Sequence, residues 1–207
     1  MFDIENIAFS LPGYPISYIE LIGTLTGLIS VYWASRVNIL TWPSGIVNEI
    51  AFFILFYQVQ LYSDMLLQVF FFVATVYGWL NWRKKSDKQA ISQVSKQSKW
   101  AYLIIIACGA LFLGFFINHI HELLPEYFSS KAAYPFIDAF TTVASVVATV
   151  LLAKKKIETW FLWIVIDIVC IALYFIKGIP VVAFEYMIFL IICFFGWKKW
   201  AYELTND

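Results

Sequence analysis

Charged residues and cysteines are scarce in this chain, and each shortage excludes a class of protein. Only 14% of the 207 residues are charged and 62% are hydrophobic, whereas soluble domains are about a quarter charged and half apolar. The 14 basic and 14 acidic residues cancel, so no excess charge favours nucleic acid as a partner. The three cysteines have no metal-ligand or pairing spacing, so we expect small buried side chains rather than a disulfide framework or a zinc site.

Motifs for nucleotide, metal and covalent chemistry are also missing. The sequence has no Walker motif, phosphate-binding glycine-rich loop or Ser-His-Asp order, so it gives no support for ATP-driven transport by this chain. The first 17 residues lack the basic start of a cleavable signal, so the first apolar segment is expected to be retained. His119 and His121 are two residues apart and would not share a helix face. No metal or cofactor is therefore expected.

Long apolar segments are what the chain has in abundance. A helix needs about 20 apolar residues to cross a bilayer, and seven segments of suitable length can be marked. They cover residues 18–36, 43–60, 64–82, 100–121, 134–153, 158–176 and 179–200. The sequence therefore predicts an all-α integral membrane protein with seven transmembrane helices.

The basic residues predict the orientation of these helices. If the N-terminus is outside, 12 of the 14 basic residues fall in cytoplasmic segments, six of them in residues 83–99, and only Lys131 and Lys177 remain outside. Because cytoplasmic segments are enriched in Lys and Arg, we expect the N-terminus outside and the C-terminus in the cytoplasm.

The two ends of the chain resemble each other at an offset of 118 residues, which aligns residues 18–82 with 136–200. Each copy holds three spans and one linker span separates them, so the copies run parallel, as in SWEET-like transporters. The predicted divisions are 1–82 (N-terminal tail and first three-helix repeat), 83–133 (cytoplasmic loop and linker helix) and 134–207 (second repeat and C-terminal tail). The aligned residues include Thr41-Trp42 with Thr159-Trp160, Gly78-Trp79 with Gly196-Trp197, Glu20 with Asp138, and Glu49 with Asp167.

Polar residues inside the spans are candidates for binding a substrate, because an ionisable group at the bilayer centre costs about 2.5–3.5 kcal/mol. Glu49 and Asp167 occupy matching positions and are expected to face one another across a two-fold axis. Trp163 lies one helical turn from Asp167, and an aromatic face beside a carboxylate suits an organic cation. The candidate substrate-binding residues are Asn48, Glu49, Gln68, Trp163, Asp167, Tyr174, Glu185 and Tyr186.

Structural alternatives stay open for several of these residues. Each acid could be a hydrogen-bonded structural group, and Asn48 could serve an interhelical hydrogen bond instead of reading a heterocycle. Glu20 and Asp138 lie near the outer ends of their spans, where snorkelling to water or a gate at the outer face fits both.

Four segments resemble the Pnu family of bacterial vitamin transporters, the PnuC-like proteins. They are LYSDMLLQVFFFVATVYGWLNW at 61–82, YIELIGTLTGLISV at 18–31, ETWFLWIVID at 158–167 and FEY at 184–186. The resemblance implies the three-plus-one-plus-three fold in the bacterial inner membrane and facilitated diffusion (uniport) without a coupling ion. It also implies trapping of the vitamin by a cytoplasmic vitamin kinase or pyrophosphokinase. A homo-oligomer is compatible with the sequence.

Two positions of this chain depart from the family members that transport nicotinamide riboside. Those members tend to have Asn where this chain has Asp167 and Phe195, and the substrate prediction depends on this difference. An acid beside Trp163 suits a cation with an amino group, and GIVNEIAFF with W-x-x-x-D resembles the thiamine branch, PnuT. Thiamine is the expected substrate, and nicotinamide riboside is the alternative. A membrane-embedded enzyme is disfavoured, because catalysis usually needs different groups in different roles rather than duplicated acids.

Overall fold

The computed structural model describes residues 3–11, 14–58, 62–83, 90–123, 126, 133–178 and 180–206. These residues hold seven α-helices, which confirms the predicted number of helices. The helices α4 and α7 are longer than expected because they continue into charged flanking residues. The helices are α1 (Tyr18–Ser35), α2 (Thr41–Gln58), α3 (Tyr62–Arg83), α4 (Lys96–Leu123), α5 (Pro135–Ala153), α6 (Glu158–Ile176) and α7 (Pro180–Asn206).

Three of the described helices, α4, α5 and α6, are by themselves long and apolar enough to cross a membrane. For the other four helices, placement in the bilayer stays a prediction. Many large apolar side chains on the outside of the helices are exposed, as at Phe112 and Phe195, which is the surface expected of helices in contact with lipid. Four of the predicted flanking charges, Lys84, Lys85, Lys88 and Lys131, lie outside the described residues.

A short antiparallel hairpin precedes the first helix and was not predicted. Strand β1 (Ile7–Leu11) pairs with β2 (Tyr14–Ser17). Ser17 then caps α1, since its hydroxyl accepts a hydrogen bond from the backbone N–H of Glu20 at 3.3 Å. The dipeptide Pro12-Gly13 lies outside the described residues, but it is a turn signal in the sequence that could have indicated the hairpin.

The chain divides into two compact units. The first comprises Met1–Ile91, Leu152–Lys155 and Phe195–Asp207, and the second comprises Ser92–Leu151 and Lys156–Phe194. The divisions predicted at residues 82 and 133 separate the sequence repeats, whereas these units are groups of residues in contact. The predicted divisions therefore stay a prediction.

In the first unit, α2 lies between α1 and α3 and packs against both. Ile19 of α1 and Ala51 and Leu55 of α2 form a buried apolar cluster. In the second unit, apolar residues of α4, α5 and α6 and of the segment before α4 form the core. Its buried members are Val94, Ile106, Ala144, Val147, Ala148, Leu151, Ile166 and Cys170. Cys193 is also buried, but Cys108 is exposed on α4, contrary to the expectation for all three cysteines.

The same hydrogen bond joins two helix pairs, one in each unit. The Oγ1 atom of Thr41 at the start of α2 donates to the carbonyl oxygen of Ser30 in α1, at 2.9 Å. The Oγ1 atom of Thr159 in α6 donates to the carbonyl oxygen of Ala148 in α5, at 2.8 Å. Each residue of the second pair lies 118 positions after its counterpart in the first.

Tryptophans of α3 and α7 hold together one end of the first unit. The Nε1 atom of Trp82 donates to the carbonyl oxygen of Ala153 at 3.1 Å, and Nε1 of Trp200 donates to the carbonyl oxygen of Ala34 at 3.2 Å. Lys155, in the loop after α5, lies 4.9 Å from the centre of the Trp82 ring. Burial lowers the pKa of Lys155. Residues distant in sequence are thus joined through indole rings.

Candidate functional site

Glu49 is a buried acid between α2 and α3, and its side chain is 7% exposed. Its Oε1 atom accepts a hydrogen bond from the hydroxyl of Thr75 in α3, at 2.5 Å. Gly45, one turn earlier in α2, is closely surrounded, since a Cβ there would lie 3.3 Å from Oγ of Ser30 and 3.8 Å from Oε1 of Glu49. The second carboxyl oxygen, Oε2, is buried and has no hydrogen-bond partner within the described part of the chain.

Asp167 is the corresponding buried acid of the second unit. The side chain is 2% exposed and is hydrogen-bonded to the thiol of Cys193 in α7. Its Oδ2 atom is buried, and none of the residues described here provides it with a hydrogen bond. Asp167 and Cys193 lie 118 positions after Glu49 and Thr75, respectively. In both pairs, one oxygen of the acid is held by a donor and the other is left open.

The open oxygens of Glu49 and Asp167 are available to a ligand. Buried polar atoms in proteins are nearly always paired, and a buried acceptor without a partner costs about 1–3 kcal/mol. Each oxygen can accept a hydrogen bond from a ligand N–H or O–H group. Because the two acids belong to different units, the expectation that they face one another stays a prediction.

Aromatic and sulfur-containing side chains continue the face of α6 that carries Asp167. Trp163, Cys170 and Tyr174 follow at the spacing of a single helical face. Tyr174 stacks on Tyr186 of α7, with ring centres 5.6 Å apart and planes inclined by 15°, and Cys170 is hydrogen-bonded to Tyr186. We call these five residues the α6–α7 stripe, and it combines aromatic faces with one carboxyl group.

The two acids differ in the residue one turn before them. Gly45 precedes Glu49 and Trp163 precedes Asp167, and these two positions are again 118 residues apart. The first unit therefore has no side chain where the second has an indole ring. A flat ligand ring would find its stacking surface beside Asp167 rather than beside Glu49.

The remaining candidates are Asn48, Gln68 and Glu185. The Nδ2 atom of Asn48 donates to the carbonyl oxygen of Gly23 at 2.8 Å. This is the interhelical hydrogen bond that the sequence analysis gave as the structural alternative for Asn48. Gln68 is half-buried in α3, and Glu185 is half-buried in α7 next to Tyr186. The structure brings together Trp163, Asp167, Tyr174 and Tyr186, and it places Glu49 in the other unit.

Thr75 and Cys193 are the contacts that sequence reasoning missed. Each lies in an apolar run and looks like a packing residue. The repeat nevertheless indicated them, because Thr75 follows Glu49 by 26 residues and Cys193 follows Asp167 by the same number. A hydrogen-bonding side chain at the same distance from both intramembrane acids could have identified the pairs.

Metal ligation finds no support in the described residues, which include no group of three or more His, Cys, Asp or Glu side chains placed to hold an ion. His121 lies 3.7 Å from Glu122, and Nδ1 of His119 lies 2.9 Å from the carbonyl oxygen of Phe115.

Comparison with known proteins identifies the family. Residues 17–202 match the family model described as nicotinamide mononucleotide transporter. The chain is also 31% identical to the nicotinamide riboside transporter PnuC of Escherichia coli K12, over 96% of this chain and 93% of that protein. The chain belongs to the Pnu family of vitamin transporters. It is therefore a PnuC-type, multi-pass α-helical membrane protein.

Other Pnu relatives differ in the vitamin they are named for. The chain is 28% identical to the riboflavin/roseoflavin transporter RibM of Streptomyces davaonensis, over 99% of this chain and 94% of that protein. The crystal structure of the vitamin B3 transporter PnuC matches the fold with a TM-score of 0.68 at 21% identity. That match covers 91% of this chain and 83% of the other. These Pnu relatives are named as transporters, not as enzymes.

Proposed function

We propose that this Pnu protein carries nicotinamide riboside, or a vitamin of the same general build, by facilitated diffusion. The vitamins in the names of its relatives, nicotinamide riboside and riboflavin, both join a flat heteroaromatic ring to a hydroxylated five-carbon group, a ribose ring in the first and an open ribityl chain in the second. The observation that carries the proposal is the open Oδ2 atom of Asp167 on the α6–α7 stripe. A carboxyl acceptor beside aromatic faces fits the ring end of such a molecule.

The chemistry of nicotinamide riboside matches the groups of this stripe. Its carboxamide N–H can donate to Oδ2 of Asp167, and a hydrogen bond to a charged group contributes about 1.5–3 kcal/mol. Its pyridinium ring can stack on Trp163 or Tyr174, where a desolvated cation–π contact contributes up to about 2 kcal/mol. The ribose hydroxyls then require polar partners. For them we propose Glu49, with Asn48, Gln68, Glu185 and Tyr186 as further candidates.

Thiamine, which Asp167 and Phe195 led us to expect, becomes the second candidate. Its aminopyrimidine can donate to the same Oδ2 atom, and its thiazolium is a cation suited to the same rings. The names of the relatives favour nicotinamide riboside instead. Thiamine stays a candidate because Asp167 is an acid and not an amide.

We infer that the helices form two parallel three-helix repeats joined by α4, the SWEET-like arrangement. The paired hydrogen bonds of Thr41 and Thr159 support it, as do the two acid–donor pairs at an offset of 118 residues. Rocking of the repeats about a central site would alternate its access. The charge distribution supports an orientation with the N-terminus outside, and the bacterial inner membrane is what the family resemblance implies. Phosphorylation by a cytoplasmic vitamin kinase would make uptake one-way.

Calorimetric titration of the purified protein in detergent tests the substrate. We expect binding of nicotinamide riboside, and we expect Asp167→Ala to weaken it by about tenfold or more, since a lost charged hydrogen bond is worth at least one decade in affinity. Glu122→Gln, at the exposed end of α4, is the control and should bind like the wild type. Binding of thiamine alone would reverse the choice of substrate, and binding of no tested vitamin would overturn the proposal.

A further inference from the structure

Lys177 lies at one end of the second unit, among a carboxylate and two aromatic rings. Its Nζ atom is 3.0 Å from Oδ1 of Asp138 at the start of α5. The same atom lies 5.6 Å from the ring centre of Tyr174 and 5.9 Å from that of Tyr134. The side chains of Lys177 and Asp138 are 25% and 39% exposed. Water and small solutes can therefore reach this cluster, which we call the Lys177 cage.

The cage has the chemistry that recognises an organic cation. Tyrosine faces attract a cation within about 6 Å of the ring centre, and a carboxylate adds a formal counter-charge. Here the cation is the chain's own ammonium group. Its long, flexible stem allows it to leave without disturbing the backbone.

Helix geometry explains why the ion pair between Lys177 and Asp138 forms. Lys177 caps the C-terminus of α6 and Asp138 lies in the first turn of α5, so each charge is favourable beside its helix dipole. A partly exposed ion pair contributes little to stability. An incoming cation of similar charge can therefore compete for Asp138 and the two rings.

The cage is continuous with the α6–α7 stripe. Tyr174 contributes to both, because its ring faces Lys177 and stacks on Tyr186. Tyr186 is hydrogen-bonded in turn to Cys170, which lies one turn along α6 from Asp167. The predicted orientation puts the cage at the outer end of this path and Asp167 deeper within it.

We propose that Asp138, Tyr134 and Tyr174 form a capture site for organic cations at the outer end of the second repeat, in which Lys177 is the resident competitor. A cationic vitamin displaces the Lys177 ammonium, rests against the two tyrosines and then passes along the stripe. The identity of the natural cation rests on the proposed function, since the pyridinium of nicotinamide riboside supplies the charge. The capture of cations as a class does not depend on it.

The test compares two ligands of nearly equal shape and different charge. These are nicotinamide riboside and its reduced, uncharged dihydropyridine form, titrated against the wild type and Lys177→Met. Methionine keeps the length of the side chain and removes the competing charge. We expect the variant to bind the cation about three- to tenfold more tightly, the size of one or two cation–π contacts, and to bind the uncharged form as the wild type does. Lys154→Met, an exposed lysine in the loop after α5, is the control and should change neither.

Two further measurements complete the test. Asp138→Asn should weaken binding of the cationic form and leave the reduced form unchanged. Tetramethylammonium should compete with nicotinamide riboside more effectively in Lys177→Met than in the wild type. Equal changes for both ligands, or no change for the cation, would overturn the capture site.

The two proposals fail in different ways. If the wild type binds no nicotinamide riboside, the proposed function fails, and tetramethylammonium alone tests the cage by its protection of Lys177→Met against thermal unfolding. If nicotinamide riboside binds but Lys177→Met gains no selectivity for cations, only the capture site fails.

Discussion

The hydroxyl of Thr75 donates to Oε1 of Glu49 and thereby determines which oxygen of this buried acid remains open. Cys193 has the same relationship to Asp167 in the second unit. Because a buried carboxyl group held at one oxygen has a fixed orientation, the donor positions the acceptor offered to a ligand. Thr75 and Cys193 are thus expected to act on binding through the acids.

Two replacements of Thr75 distinguish the effect of its hydroxyl group from the effect of its side-chain volume. Thr75→Val keeps the shape and leaves Glu49 without its donor, so we expect the free energy of unfolding to fall by about 1–3 kcal/mol and the substrate affinity to fall as well. Thr75→Ser keeps the hydroxyl and should restore most of the affinity. Thermal unfolding and titration in detergent measure both effects. If valine and serine bind substrate equally well, the hydroxyl does not position Glu49.

Cys193 allows the matching experiment in the second unit. Cys193→Ser retains a donor for Asp167 and should keep substrate affinity within a few-fold, whereas Cys193→Ala removes the donor and should weaken binding several-fold, as expected for a hydrogen bond of about 1 kcal/mol. Calorimetry provides the dissociation constants. Equal binding by the alanine and serine variants would show that the thiol serves only for packing.

Asp167→Asn distinguishes the two candidate vitamins. The amide of Asn offers an acceptor oxygen and a new N–H donor, and the carboxamide of nicotinamide riboside can pair with both. The added hydrogen bond should offset the lost charge, so this vitamin should bind the variant within a few-fold of the wild type. Loss of the carboxylate should weaken thiamine by about tenfold, because its amino group then donates to a neutral acceptor. Parallel titrations of both vitamins give the ratio. Equal loss of both would indicate that Asp167 is a structural acid.

The indole N–H groups of Trp82 and Trp200 should contribute to the stability of the first unit. Trp82→Phe removes the hydrogen bond to Ala153, and Trp200→Phe removes the one to Ala34. We expect each to lower the melting temperature, at a cost of about 1–3 kcal/mol for the buried carbonyl left with fewer partners. Trp100→Phe, on a residue of α4 that is 63% exposed, provides the control. If Trp100→Phe lowers the melting temperature as much as the other two variants do, the loss of stability comes from the smaller ring and not from the lost hydrogen bond.

Gly78 is required by the close approach of Trp42. A Cβ at Gly78 would overlap the six-membered part of the Trp42 indole, so Gly78→Ala should destabilise the protein by about 1–3 kcal/mol. Trp42→Phe removes part of that ring and should relieve the overlap. The double variant should therefore lose less stability than the sum of the single variants. Simple additivity in thermal unfolding would contradict this explanation.

The sequence by itself determined the helices, their approximate ends and the family. Each span carries its own signal, because a helix in contact with lipid must be apolar over about 20 residues. The offset of 118 residues also paired Glu49 with Asp167 before any contact was known. The choice of thiamine depended on two positions, Asp167 and Phe195, and single side chains do not determine a substrate without their surroundings.

Only the tertiary structure decided which side chains are partners. Asn48 bonds to the backbone of Gly23, Thr75 and Cys193 hold the acids, and Lys177 lies between Asp138 and two tyrosines. In an apolar helix, the faces toward lipid and toward neighbouring helices have similar composition. The rotation of each helix about its axis, and with it the partner of every polar group, is therefore set by packing against the other helices.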